Sequence, residues 1–260
     1  MKKILALILS LIMVCCLFAG CGSTEKIIVA EKGSAGEKVA MTLEGYKYTA
    51  VKDQAAALME VSSGTADAAI IDYVMSIGSL GKGTDYENLI VTGDGYSPEN
   101  YGIAFRKGSD ATAKVNEAIA QLKANGKLKE IGDKYKLGDL VTATDTFDAF
   151  KQAETNSDWE YIKQKGELII GITYFAPMNY KDANGELVGF ETEFAKAVCE
   201  ILGVKPVFQK IDWNTKETEL AAKSIDCIWN GMTIDADRAA NMSISIPYMT
   251  NKQVMVVKEK

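Results

Sequence analysis

The sequence predicts an α/β protein of two lobes, each a mostly parallel sheet flanked by helices. Three observations carry this. Short apolar strand runs alternate with helix patterns over residues 26–72, and the alternation starts again at residue 168. Such alternation gives parallel sheets covered on both faces. Between the two stretches, residues 141–158 are polar, rich in Thr and Asp and without strand periodicity, which marks a linker. With 260 residues and 47% apolar content, the chain is large enough for two small cores.

In order, KIIVA (26–30) is a short apolar strand, and GSAGEKVAMTLEG (33–45) a turn followed by a helix. YKYTAV (46–51) is a second strand. Asp53 caps a helix over AAALMEV that ends near Gly64, and ADAAIID (66–72) is a third strand. A further strand near 89–91 leads to YGIAFRKGSD (101–110), then to helix patterns around 113–124 and 127–135. One weak helix is expected within the linker, at 146–153. LIIGIT (168–173) resumes the strands, and Asn184-Gly185 between extended runs signals a tight hairpin. The helix 192–202 is closed by Gly203 and followed by the strand PVFQKI (206–211). A helix around 216–223 precedes the buried strand IDCIW (225–229), and QVMVVKEK (253–260) is the last strand.

The first residues form a processing segment. Lys2 and Lys3 precede an apolar run over 4–19, short for a membrane span but suited to the core of a signal peptide. LFAGC (17–21) resembles a bacterial lipoprotein box. Residues 1–20 are therefore expected to be a lipoprotein signal peptide, with Cys21 lipidated and 21–25 a short tether. A plain secretory signal cut nearby is the alternative. Of five cysteines, only Cys199 and Cys227 then remain, both on apolar faces as small hydrophobes, with nothing requiring a disulfide between them.

Composition excludes several chemistries. There is no histidine, which removes Ser-His-Asp and Cys-His nucleophiles and every imidazole zinc site. GSLGKGT (78–84) lacks phosphate-loop spacing, and KDANGE (181–186) is not a calcium loop. A net charge of −6 speaks against nucleic acid as a partner. No catalytic residue, metal or cofactor is expected, and the case for an enzyme is thin.

The most informative stretch is IDCIWNGMTIDADRAANMSISIPYM (225–249). A buried strand runs into a turn at Asn230-Gly231 and then a polar loop carrying Thr233 and Arg238. A guanidinium five residues past a hydroxyl, at the mouth of a strand, suits a carboxylate. A surface Arg beside a turn is the plainer alternative.

Five segments together resemble the polar amino acid binding proteins of ABC importers (bacterial extracellular solute-binding proteins of family 3). They are GELIIGITYFAPMNY, GELVGFETEFAKAVCEILG, IDCIWNGMTI, SGTADAAIID and ENYGIAFRKGSD. The resemblance implies a periplasmic-binding-protein-like (Venus flytrap) fold. It also implies a permuted order, since the family's first-lobe segment stands here after its second-lobe segment. On this reading 26–100 is equivalent to the family's second lobe, 101–107 is the single covalent crossover, and 108–260, with linker 141–158, is equivalent to the first lobe. The start at Lys26 and the end at 257–260 are then neighbours at the hinge.

By the same resemblance, Arg238 grips a ligand α-carboxylate with Thr233 as a further donor, aided by Ser34 and the backbone amides near Ala35. Asp72 matches the acceptor for the α-ammonium, with carbonyls near Asn230 and Gly231 as additional acceptors; a strand-end cap is the alternative for Asp72. Phe175 and Trp213 match aromatic positions that sandwich the ligand side chain, with Tyr174 as a neighbour. Core packing is the alternative for Trp213. Glu31 matches a position that reaches the ligand side chain, and a carboxylate there leans towards a basic or neutral polar amino acid; it is otherwise an exposed charge. The expected protein is a monomer on the outer face of a bacterial membrane, working with an ABC permease. An amino-acid sensor module, which needs a further membrane or signalling segment not expected after Lys260, and a dehydratase-like enzyme are the competing functions.

Overall fold

The computed structural model describes residues 25–96, 98–142 and 155–260. The expected signal segment, Cys21 and the helix expected at 146–153 lie outside these residues.

Strands β1 (Lys26–Glu31), β2 (Tyr46–Val51) and β3 (Ala68–Asp72) form a parallel sheet in the order β2-β1-β3. Helices α1 (Ala35–Ala40) and α2 (Gln54–Ser63) connect them, as the alternation predicts. Ser34 and Asp53 cap these helices by accepting from the backbone amides of Glu37 and Ala56, and Gly64 closes α2 in the left-handed region. Helix α3 (Tyr73–Ser79) and strand β4 (Leu89–Thr92) complete this half.

The second half repeats the plan. Strands β6 (Glu167–Ile172), β9 (Lys205–Lys210) and β10 (Cys227–Thr233) are parallel, with β6 between the other two. The hairpin of β7 (Tyr180–Lys181) and β8 (Leu187–Val188) sits where Asn184-Gly185 predicts it. Against this sheet pack α4 (Ala111–Ala124), α5 (Lys127–Lys134) and α7 (Phe190–Leu202). Helix α6 (Asp158–Lys165) starts where the linker was expected to end, so the polar stretch gives way to a helix that the sequence reading missed. Phe194 packs edge-on against Trp229, with ring centres 4.9 Å apart, which makes Trp229 a core residue. Cys199 and Cys227 are buried free thiols.

The join between halves corrects the single crossover expected at 101–107. Two strands cross, β5 (Pro98–Arg106) and β12 (Met249–Lys258). Their hinge ends pair antiparallel, from Met249 opposite Tyr101 to Lys252 opposite Pro98. Beyond the hinge, β5 runs into the second half beside β10, while β12 runs back into the first, placing Gln253 opposite Asp72 and Val256 opposite Ala69. Residues 253–258 therefore belong to the sheet of residues 26–72 and not to the lobe 108–260. The reason is their apolar face: Val254 and Val256 are fully buried there. The same register puts Lys26 and the end of β12 about two strand spacings, roughly 10 Å, apart. They are close as expected, but at the sheet edge opposite Glu31 and Asp72 rather than at the hinge. Among the described residues no helix is long and apolar enough to cross a membrane.

The shared strand yields a test. Val256→Asp would bury an unpaired carboxylate at a cost of several kcal/mol. We expect amide exchange protection to fall across 26–72, some two hundred residues away in sequence. Protection lost only in the second half would contradict the pairing.

Candidate functional site

The carboxyl ends of the two parallel sheets face each other across a cleft, the position where open α/β sheets bind ligands. Between them lies a cavity with about 270 Å³ of empty space, including its open mouth. From the first half it is lined by Glu31, Ser34, Ala35 and Gln54. The second half contributes Thr173, Phe175, Trp213, Asn230, Gly231, Thr233 and Arg238. Nine of the eleven positions expected from sequence thus line one cavity. Asp72 and Tyr174 are not among the lining residues, and Gln54 and Thr173 are additions.

Arg238 is 5% exposed and set on helix α9 (Ala236–Asn241), whose cap Asp235 accepts from the Arg238 amide at 2.8 Å. Its Nη1 donates to the Thr233 carbonyl at 2.9 Å, and its Nη2 donates across the cleft to the Gly33 carbonyl at 3.3 Å. Each terminal nitrogen carries two N–H groups. One on each remains beyond these bonds, the pair that a bidentate carboxylate takes.

Gly231 shapes the opposite wall. It has φ +58°, and the β5–β10 register shifts between Ile228 and Met232, so β10 bulges at its carboxyl end. A Cβ at Gly231 would meet Phe175 Cζ at 3.0 Å. The bulge is fixed by Glu191 of α7, whose Oε1 accepts from the Gly231 amide at 2.7 Å and from the Tyr248 hydroxyl. Its other oxygen accepts from Asn179 at 2.7 Å. Burial pushes the Glu191 carboxyl up to about 7. Asn230 is tied to Thr173, accepting from its hydroxyl at 2.6 Å.

Asp72 ends β3 as expected, but its carboxylate is already engaged. Oδ2 accepts from Gln54, and Oδ1 accepts from Asn251 at 2.6 Å and Gln253 at 2.7 Å. Gln54 also accepts from the Asp72 amide at 2.9 Å, so the glutamine stands on the cavity wall and the aspartate is held by it. Tyr174 is 37% exposed, with Lys210 4.8 Å from its ring centre. The structure thus leaves Asp72 and Tyr174 off the cavity lining.

Glu31 is 4% exposed, and its Oε1 has no hydrogen-bond partner. Burial, then the charges of Asp72 and Asp53, push its carboxyl up to about 8. Across the cleft, Lys216 opens helix α8 (Lys216–Ala221) and is also 4% exposed. Burial, then the neighbouring Arg238, bring its ammonium down to about 8. A Lys at the start of a helix pattern gave no sequence signal of a place in the cleft. Gln54 carried a faint one, following the cap Asp53 at the carboxyl end of β2. Outside the cavity, Lys38 bridges the lobes to Asp235 at 3.0 Å and to Asp237 at 3.2 Å. Among the described residues no cluster of three or more His, Cys, Asp or Glu is placed to hold a metal.

Residues 168–260 match the model of bacterial extracellular solute-binding proteins, family 3. That match covers about a third of the chain. Over 134 residues it is 27% identical to the L-cystine-binding protein TcyJ of Escherichia coli strain K12, covering 51% of this chain and 50% of that protein. It is 33% identical over 121 residues to the arginine-binding extracellular protein ArtP of Bacillus subtilis, covering 46% of each. Among solved structures, a polar amino acid ABC uptake transporter substrate binding protein from Streptococcus thermophilus aligns at 34% identity. That alignment covers 33% of each chain, with a TM-score of 0.32. The chain spans about half the length of the curated relatives it matches.

Glu31 gives a pH test. The folded chain holds its proton to about pH 8, whereas the unfolded chain releases it near the ordinary 4.5. Its contribution to stability is therefore full below about 4.5, falls as pH rises, and is lost above about 8. In denaturant unfolding between pH 5 and 8, Glu31→Gln is expected to flatten that decline. An unchanged slope would show that Glu31 ionises freely.

Proposed function

We propose that the chain is a lipid-anchored extracytoplasmic binding protein that captures a polar amino acid for an ABC importer. The observation that carries this is the buried guanidinium of Arg238, held between two lobes with one N–H left on each terminal nitrogen. An amino acid is a zwitterion, and a pocket that buries it must pair both charges. Arg238 takes the α-carboxylate, with the Thr233 and Ser34 hydroxyls and the first amides of α1 as further donors. The acidic side of the cleft, Glu31 with Asp72 behind Gln54, favours the α-ammonium. Phe175 and Trp213 flank the side chain.

Because donors come from both lobes, the ligand stabilises the closed arrangement over the open one, which is how such a protein signals occupancy to a permease. The relatives support the class, since their names describe amino-acid-binding proteins. Cys21 as the lipid anchor, the monomeric state and the permuted lobe order are part of this proposal.

A thermal-shift screen of the standard amino acids tests it, since a tight ligand raises the melting temperature by mass action. With the ligand found, Arg238→Ala is expected to lose about 2–5 kcal/mol of binding free energy by leaving the carboxylate unpaired. Equal affinity for parent and variant would remove Arg238 from the site.

A further inference from the structure

Lys216 is a buried cation whose hydrogen-bond partners, among the described residues, are neutral. Its ammonium donates to the Gly33 carbonyl across the cleft at 3.1 Å and to the Trp213 carbonyl at 3.1 Å. It lies 4.7 Å from the centre of the Trp213 indole ring, within reach of a cation–π contact. Among the described residues no carboxylate bonds to it directly. The acid that faces it from β1 is Glu31, and across the cleft each charge favours the other's ionised form. Trp213 and Glu31 both line the cavity. An aromatic face opposite a carboxylate with an open oxygen is a place for a cation, and the chain itself supplies one.

The charge balance of the cleft follows. Arg238 and Lys216 stand against Glu31 and Asp72. With Glu31 ionised, Lys216 brings the set from −1 to zero; with Glu31 protonated, it brings the set from zero to +1. In either case Lys216 adds one positive charge beside the cavity, which opposes a ligand of net positive charge.

Resting on the amino-acid-binding reading above, we propose that Lys216 determines specificity: set behind the cavity lining, its ammonium holds a face of Trp213 and repels a basic side chain brought into the cleft. The cleft then accepts an amino acid with an uncharged polar side chain and rejects arginine and lysine. The open Glu31 oxygen is left to accept from a carboxamide or hydroxyl of that side chain.

Isothermal titration of L-glutamine, L-serine, L-arginine, L-lysine and L-glutamate into the parent, Lys216→Met and Lys216→Gln tests this. The tightest ligand of the parent should be uncharged, binding at least about tenfold more tightly than either basic amino acid. Both variants should shift the ratio towards arginine by about tenfold or more. Lys216→Gln keeps a donor for Gly33 and serves if the methionine variant does not fold. A basic or acidic amino acid as the tightest parent ligand, or a ratio unmoved in the variants, overturns the inference while leaving the binding function standing. A parent that binds none of the standard amino acids overturns both.

Discussion

A guanidinium keeps its charge at any ordinary pH, so burying one requires partners from wherever the fold can bring them. Arg238 draws on both lobes, taking the Thr233 carbonyl from its own side and the Gly33 carbonyl from the other. Gly33 holds φ +76° in the turn between β1 and α1, and its carbonyl also receives Lys216. Two buried cations thus converge on one backbone oxygen. This arrangement ties the two sides of the cleft together, while leaving N–H groups of the guanidinium for an anion. Exposed pairs such as Lys38 with Asp237 add little, since surface ion pairs contribute about 0–1 kcal/mol.

The acidic side of the cleft is tied to the hinge. Asn251 and Gln253, on the crossing strand β12, each donate both to Asp72 and to Glu99 at the start of β5. Burial and the nearby Asp72 push the Glu99 carboxyl up to about 7. Two carboxylates at this spacing stay together because amides stand between them. Through these bonds Asp72 is tied to both crossing strands.

Much of this was legible in the chain because it is local. Strand–helix alternation, the caps Ser34 and Asp53, and the Asn184-Gly185 hairpin each follow from a few adjacent residues. Arg238 and Thr233 were legible for the same reason, lying five apart, one at the end of β10 and the other on α9. What escaped depends on distant pairings. QVMVVKEK reads as a strand, yet nothing in it says that Gln253 meets Asp72, 181 residues earlier. That pairing, with Gln54 from α2, turns Asp72 from a cavity residue into a supporting one. Lys216 was silent because a lysine in a helix pattern is normally solvated, and only the approach of Gly33 from the other lobe buries it.

The most direct test of the account is a crystal structure of the protein with its tightest amino acid bound. The α-carboxylate is expected on both terminal nitrogens of Arg238, beside Ser34, with Gly33 and Lys216 close by. A carboxylate bound elsewhere in the molecule, or a cleft still empty at saturating ligand, would contradict it.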